Sequence, residues 1–170
     1  MLTLIIGGAG SGKSAFAEQL VCRLPGRRVY LATMTASDSE SLRRIARHRA
    51  QRRSLDFLTL ERGTDLTSVS LPDGANVLLE DLSNLLANEM FSPEGGGLPA
   101  VREGLASLTA RCENLTVVSN EIFSGGTDCG EDTLRYMRAL AGLNRALAAR
   151  ASLVAEIVCG LPNVLKGEWP

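Results

Sequence analysis

Short apolar runs alternate along the chain with segments of helical periodicity. Runs rich in Leu, Ile and Val that are bounded by turn residues are typical of strands buried on both faces of a parallel sheet. They predict strands at 2–6, 28–32, 56–60, 76–80, 115–119 and 153–158. Apolar positions three and four residues apart predict helices at 13–24, 38–53, 82–91, 99–111 and 131–150. The pattern therefore predicts an α/β fold, a mainly parallel sheet flanked by helices, in a single domain over residues 1–170.

The turn between the first predicted strand and the first predicted helix is rich in glycine. It reads Gly7, Gly8, Ala9, Gly10, Ser11, Gly12, Lys13 and Ser14, which is the pattern G-x-x-x-x-G-K-S. Glycines let backbone N–H groups surround a polyphosphate, and the helix N-terminus adds positive potential. We expect Lys13 to reach the β- and γ-phosphates and the Ser14 hydroxyl to hold Mg²⁺. The motif predicts a P-loop NTPase-type domain that binds a nucleoside triphosphate.

Polar residues follow several predicted strands, at the edge where open α/β sheets bind their ligands. Thr33 follows the second strand and is a candidate nucleotide contact. Glu80 and Asp81 end an apolar run and predict a carboxylate for the magnesium ion. Glu80 is the favoured ligand and Asp81 the alternative. Asn120 and Glu121 follow a later strand and are predicted to cap the next helix.

The predicted helix at 38–53 is unusually basic. Arg44, His48 and Arg52 recur at every fourth position and share one stripe. A histidine between guanidinium groups suits a nucleophile or an acid that handles phosphate. A solvated helix with acids in its first turn and bases towards its end explains the same pattern. Spacing alone leaves both interpretations open.

Composition gives no support to a nucleic-acid-binding, membrane-spanning or secreted protein. The formal net charge of −1 gives no support to a nucleic-acid binder that acts through bulk charge. The sequence has no apolar run long enough to predict a membrane span. The four cysteines lie far apart and the start of the chain shows no signal-peptide pattern, so we expect a cytoplasmic protein with reduced thiols. The run Gly95–Gly97 between prolines predicts a flexible surface connection.

Several blocks together resemble the adenosylcobinamide kinase/adenosylcobinamide-phosphate guanylyltransferase family of cobalamin synthesis. They are the glycine-rich loop, Tyr30–Thr33, Arg44–Arg49 with Arg52, Glu80 with Asn88, Val118–Glu121, Gly142–Asn144 and Gly160–Lys166. Their order and spacing hold across nearly the whole chain. The chain departs from the family pattern at Gly10, where the family usually has arginine, at Asp81, where it usually has cysteine, and in the loop 122–129.

The resemblance implies a bifunctional enzyme. Members phosphorylate adenosylcobinamide with ATP or GTP, then transfer GMP from GTP to the new phosphate and release pyrophosphate, giving adenosylcobinamide-GDP. By resemblance, His48 forms a GMP–histidine intermediate, and Arg44, Arg47, Arg49 and Arg52 contact the phosphates. The family's assemblies imply a homo-oligomer, a trimer with active sites near subunit boundaries.

A single-function P-loop kinase of a small hydroxyl substrate is the alternative. In that case His48 is structural and no nucleotidyl transfer occurs. A nucleotide-dependent switch is disfavoured because the chain lacks N-K-x-D, the guanine-reading motif of switch GTPases.

Overall fold

The computed structural model of the protein describes residues 1–34, 55–125 and 129–169. In this part of the chain the strands are β1 (Leu2–Gly7), β2 (Arg28–Ala32), β3 (Phe57–Glu61), β4 (Asn76–Glu80), β5 (Asn114–Asn120), β6 (Leu153–Val158) and β7 (Leu161–Lys166). The α-helices are α1 (Lys13–Cys22), α2 (Leu82–Phe91), α3 (Gly97–Arg111) and α4 (Glu131–Arg150), and a 3₁₀ turn covers Leu66–Ser68.

The seven strands form one sheet in the order β3-β2-β4-β5-β1-β6-β7. Every neighbouring pair is parallel except β6 and β7, which are antiparallel. The mainly parallel α/β architecture is therefore confirmed. The pairing of Gly7 with Asn120 and of Ala32 with Glu80 brings the carboxyl ends of four strands to one edge.

Among the described residues, one helix packs on one face of the sheet and three pack on the other. Helix α1 packs on one face, where its apolar residues meet side chains of the central strands: Ile5, Ala17, Leu20, Val21, Leu78 and Val118. Helices α2, α3 and α4 pack on the other face, in a larger cluster that includes Leu4, Val77, Leu79, Leu85, Leu108, Val117 and Leu140. Alternation along each strand thus sends successive side chains to opposite cores.

Helix boundaries follow local chemistry. Asp81 caps α2, since its Oδ1 accepts a hydrogen bond of 2.8 Å from the Asn84 N–H. Glu131 and Asp132 lie in the first turn of α4 and Arg150 in its last turn, which complements the helix dipole.

Two predicted connections differ in the structure. Asn120 and Glu121 do not cap the next helix, because α4 begins at Glu131 after Gly130; that prediction is wrong. Nor is the glycine run a loose connection. The buried Glu89 carboxylate accepts 2.7 Å hydrogen bonds from the N–H groups of Gly96 and Asp65, which fixes a compact turn into α3.

The end of the chain packs against α1. The Trp169 ring lies 4.5 Å from the Phe16 ring, centroid to centroid, and the Arg23 guanidinium lies 5.9 Å from the Trp169 centroid. These contacts fasten the segment after β7 to the first helix.

Candidate nucleotide-binding site

The glycine-rich loop connects β1 to α1 at the carboxyl edge of the sheet. Gly10 and Gly12 have φ values of 71° and 90°, which residues other than glycine rarely adopt. A Cβ on Gly7 would lie 2.8 Å from the Ile157 carbonyl oxygen and 2.5 Å from Ser11 Oγ. The backbone angle thus favours glycine at Gly10 and Gly12, and the lack of space requires it at Gly7.

The turn between β6 and β7 braces this loop. The Gly160 N–H donates to the Ser11 carbonyl oxygen at 2.8 Å, and the Ser11 N–H donates to the Gly8 carbonyl oxygen at 3.2 Å. A Cβ on Gly12 would lie 3.3 Å from Gly160 Cα, so the two turns are in close contact. The loop is therefore held in a fixed shape by backbone groups.

Lys13 and Ser14 begin α1 directly beneath the loop. Lys13 is buried, and its Nζ donates to the Gly8 carbonyl oxygen at 3.1 Å, which places the ammonium group over the loop. The Ser14 hydroxyl donates to Glu80 Oε1 at 2.6 Å. The first turn of α1 and the end of β4 thus share one polar site, as the sequence predicts.

The Glu80 carboxylate has one oxygen available in this site. Oε1 accepts from Ser14, whereas Oε2 is buried without a hydrogen-bond partner. Burial, and then the neighbouring Asp81 charge, raise the pKa of Glu80 to about 8. A buried carboxylate oxygen beside a hydroxyl oxygen is a donor set that suits a hard cation such as Mg²⁺. The residues present therefore fit a magnesium ion.

Asp81 has a different set of partners from Glu80. Its Oδ1 accepts from the Asn84 N–H at 2.8 Å and from Ser83 Oγ at 2.5 Å. Its Oδ2 accepts from Asn120 Nδ2 at 3.2 Å. Of the two carboxylates, Glu80 is the one with an oxygen free for a cation.

Thr33 is fully buried, and its hydroxyl bonds to the backbone of Asp81. Its Oγ1 donates to the Asp81 carbonyl oxygen and accepts from the Asp81 N–H, each at 2.8 Å. The Asn88 amide in turn donates to the Thr33 carbonyl oxygen at 2.8 Å and to the Gly63 carbonyl oxygen at 3.0 Å. Thr33 therefore lies beside the predicted nucleotide site and fixes the backbone that carries Glu80.

A pocket of about 300 Å³ adjoins the loop. It is lined by Gly8–Ser11, Glu121 and Glu156–Cys159. The Glu121 carboxylate accepts from the Phe123 N–H at 2.8 Å and from Ser124 Oγ at 2.9 Å. The pocket leaves space, at the carboxyl edge of the sheet, for a part of a ligand other than its phosphates.

A family profile described as cobinamide kinase / cobinamide phosphate guanyltransferase matches residues 3–165. The chain belongs to this family. The bifunctional adenosylcobalamin biosynthesis protein CobP of Pseudomonas aeruginosa is 39% identical over 175 residues, covering 99% of this chain and 99% of that protein. The bifunctional adenosylcobalamin biosynthesis protein CobU of Escherichia coli is 33% identical over 185 residues, covering 98% of this chain and 100% of that protein.

Among solved structures, P4 protein from bacteriophage phi6 in complex with ADP matches 95% of this chain and 53% of its own, with 14% identity and a TM-score of 0.44. A likeness of that size carries no weight beside the relatives in the cobinamide kinase family.

Part of the predicted site of this family member lies outside the described residues. Those positions are Arg44, Arg47, His48, Arg49 and Arg52, together with the predicted helix 38–53. The structure brings together the glycine-rich loop, Lys13, Ser14 and Glu80, with Thr33 directly behind them. Within residues 1–34, 55–125 and 129–169, no group of three or more His, Cys, Asp or Glu side chains is arranged to hold a metal ion. None of the helices in those ranges combines the length and the apolar composition that a membrane span requires.

Sequence reasoning missed the network around Asp81. Ser83, Asn120 and Tyr136 all contact it or its neighbours, and the Tyr136 hydroxyl donates to the Ser83 carbonyl oxygen at 3.0 Å. The segment Val118–Glu121 was one available signal, since it places Asn120 at the end of a strand next to β1.

Proposed function

We propose that this protein phosphorylates adenosylcobinamide with ATP or GTP and then transfers GMP from GTP to adenosylcobinamide phosphate. The products are adenosylcobinamide-GDP and pyrophosphate. The observation that carries the proposal is the Ser14–Glu80 pair under a glycine-rich loop, in a chain whose family profile spans residues 3–165. The curated relatives from P. aeruginosa and E. coli, both named bifunctional, support it.

In the kinase step the loop and Lys13 bind the triphosphate. Backbone N–H groups of Gly7–Ser14 surround the phosphates, and the Lys13 ammonium balances charge on the β- and γ-phosphates. Ser14 and Glu80 would hold Mg²⁺, which would supply positive charge to neutralise the charge that develops on the phosphates. Thr33 acts behind them by keeping the Glu80–Asp81 backbone in place.

In the guanylyl step we assign His48 as the nucleophile. Its imidazole nitrogen attacks the α-phosphorus of GTP, so a P–N bond forms as the α–β P–O bond breaks and pyrophosphate leaves. The phosphate of adenosylcobinamide phosphate then attacks the same phosphorus and releases the histidine. Arg44, Arg47, Arg49 and Arg52 are proposed to stabilise the charge on the phosphate oxygens.

The remaining properties are proposals from the same family relationship. We propose a single domain over residues 1–170, adenosylcobinamide as the corrinoid substrate, and a homo-oligomer, a trimer, as the assembly. No role in nucleic-acid binding is proposed. A cytoplasmic location agrees with four cysteines that are all free.

The deciding experiment follows the α-phosphate of GTP. Purified protein is incubated with Mg²⁺ and GTP labelled at the α-phosphate, and label is sought on the denatured chain. We expect an acid-labile, alkali-stable adduct that maps to His48, and none when the label is on the γ-phosphate. Protein that binds GTP but forms no adduct would return the chain to the single-function kinase alternative.

The variant His48→Asn separates the two steps, and Lys13→Ala tests the triphosphate site that both steps use. His48→Asn removes the nucleophile with little change in size, so we expect the adduct to disappear and phosphorylation of adenosylcobinamide by ATP to continue. Lys13→Ala weakens triphosphate binding, so both steps should slow. Loss of both steps in a folded His48→Asn protein would contradict this division of roles.

A further inference from the structure

Asn120 ends the strand that lies between β1, which leads into the phosphate loop, and β4, which ends at Glu80. It is the last residue of β5, and β5 is paired with β1 on one side and with β4 on the other. Its neighbour in register is Gly7, at the start of the loop. Val118, two residues earlier, packs in the core on the α1 face, so alternation puts Asn120 on the face that also carries Ser14. The residue is thus next to the place where the phosphates are proposed to bind.

The partners of Asn120 determine which way its amide faces. Its Nδ2 donates to Asp81 Oδ2 at 3.2 Å and to Ser83 Oγ. A carboxylate accepts hydrogen bonds and donates none, so the NH₂ end must face Asp81. Both amide hydrogens are then used, and Oδ1 is turned away from Asp81.

Asp81 is itself held firmly. Its side chain is buried and accepts hydrogen bonds from the Asn84 N–H and the Ser83 hydroxyl. Its backbone N–H and carbonyl oxygen both form hydrogen bonds with Thr33 Oγ1. The Ser83 hydroxyl gives its hydrogen to Asp81, which leaves its oxygen to accept from Asn120. Each polar hydrogen of Ser83 and Asn120 in this network therefore has a single acceptor. Together these hydrogen bonds fix the Asn120 amide with its NH₂ group towards Asp81.

We propose that Asn120 Oδ1 accepts the hydrogen bond of the acceptor hydroxyl in the phosphoryl-transfer step, and that Asp81 is the residue that positions it. The inference rests on the proposed kinase function. The acceptor oxygen forms a bond to the γ-phosphorus as the bond to the β-phosphate oxygen breaks, and ADP leaves. Asn120 takes no proton; it directs a lone pair of the hydroxyl oxygen at the phosphorus, and the hydroxyl proton passes to the transferred phosphoryl group and then to solvent.

An exchange of the two side chains tests the proposal. In Asp81→Asn the new amide keeps the helix cap through Oδ1 and presents its NH₂ to Asn120. The Asn120 amide must then turn over, which places NH₂ where Oδ1 was. Asn120→Asp alone sets two carboxylates against each other. The double variant Asp81→Asn with Asn120→Asp restores one donor and one acceptor, again presents an oxygen to the substrate, and keeps the wild-type net charge.

We expect kcat for phosphorylation of adenosylcobinamide by ATP to fall about 30-fold or more in Asp81→Asn and in Asn120→Asp, the effect of one misdirected hydrogen bond. The double variant should return to within about 5-fold of wild type. The ATP dissociation constant and the Mg²⁺ concentration for half-maximal rate should stay close to wild type in all three. Circular dichroism and thermal unfolding establish that each variant is folded.

Other results would overturn the proposal. One is a wild-type kcat in Asp81→Asn, and another is a folded double variant that is as slow as the single variants. A third is a change in the Mg²⁺ concentration for half-maximal rate with an unchanged kcat, which would assign Asn120 to the cation's water shell. Failure of the proposed function gives a different result, because the wild-type protein would then form no phosphorylated adenosylcobinamide.

Discussion

Glu80 and Asp81 are adjacent in sequence but have separate tasks. Alternation in β4 sends Glu80 to the same face as Leu78, towards α1 and Ser14, whereas Asp81 caps α2. A capping carboxylate is already saturated by backbone and hydroxyl donors, and a buried oxygen without a partner is costly unless something binds it. This difference in hydrogen bonding favours Glu80 over Asp81 as the proposed metal ligand.

Glu80→Gln should change the metal requirement more than the fold. The amide keeps the size of the side chain and its carbonyl oxygen still accepts from Ser14 Oγ, but it has no proton to give up and so cannot present a negative charge to a divalent cation. We expect the Mg²⁺ concentration for half-maximal phosphoryl transfer to rise about 10-fold or more. Magnesium titration of the initial rate at saturating ATP measures it.

Glu113→Gln is the matched control, since Glu113 is exposed at the opposite edge of the sheet, just before β5. It removes the same charge away from the site, and its magnesium requirement should equal that of wild type. An unchanged requirement in Glu80→Gln would exclude Glu80 as the ligand.

At the scale of elements, the apolar pattern was sufficient for most of the sheet. Strands β2, β4 and β6 begin and end as predicted, and β1, β3 and β5 differ by a residue at one or both ends. β7 was missed because all six of its residues are exposed, so no periodicity of burial marks it. It pairs only with β6, and Pro162 is tolerated there because β7 is an edge strand.

Two helical glycines should respond oppositely to alanine. Gly142 in α4 has open space where a Cβ would be added, so Gly142→Ala should stabilise the protein by about 1 kcal/mol through helix propensity. Gly104 in α3 packs against the 3₁₀ turn, and its Cβ would lie 2.8 Å from Leu66 Cβ. We therefore expect Gly104→Ala to destabilise by about 1–3 kcal/mol.

Urea unfolding of both variants at one protein concentration gives the two changes in free energy. A destabilised Gly142→Ala protein would indicate that this face of α4 is covered in the assembled protein. A stable Gly104→Ala protein would mean that α3 moves away from Leu66 at little cost.

The whole molecule brings the site together from distant parts of the chain. The sheet order places β1 between β5 and β6, so the loop meets Glu80 from one side and the Gly160 turn from the other. The glycine motif and the strand ends predicted the position of this site. The orientation of Asn120 was not predictable, because it depends on a contact between residues 39 positions apart.

Trp169→Ala should weaken the packing of the segment after β7 against α1. The indole ring packs on Phe16 and lies near the Arg23 guanidinium, so its removal exposes apolar surface of α1. We expect a loss of about 1–2 kcal/mol, less than for a fully buried ring, and a fall in Tm of roughly 2–8 °C. Calorimetry measures the Tm.

Trp169→Phe is the control, because it keeps an aromatic contact with Phe16 and should lose less than half as much. Equal losses in the two variants would mean that the size of the indole ring, and not aromatic packing as such, holds the segment.

The contact between Trp169 and Phe16 also gives the protein an internal optical reporter. The chain has one tryptophan, and it rests on the helix whose first turn carries Lys13 and Ser14. Indole emission responds to nearby charge and to changes in ring contacts. A shift of α1 on nucleotide binding would therefore alter the emission wavelength or the intensity of Trp169 fluorescence. Binding can then be followed in the unlabelled protein, with ATP and GTP compared in the same cuvette.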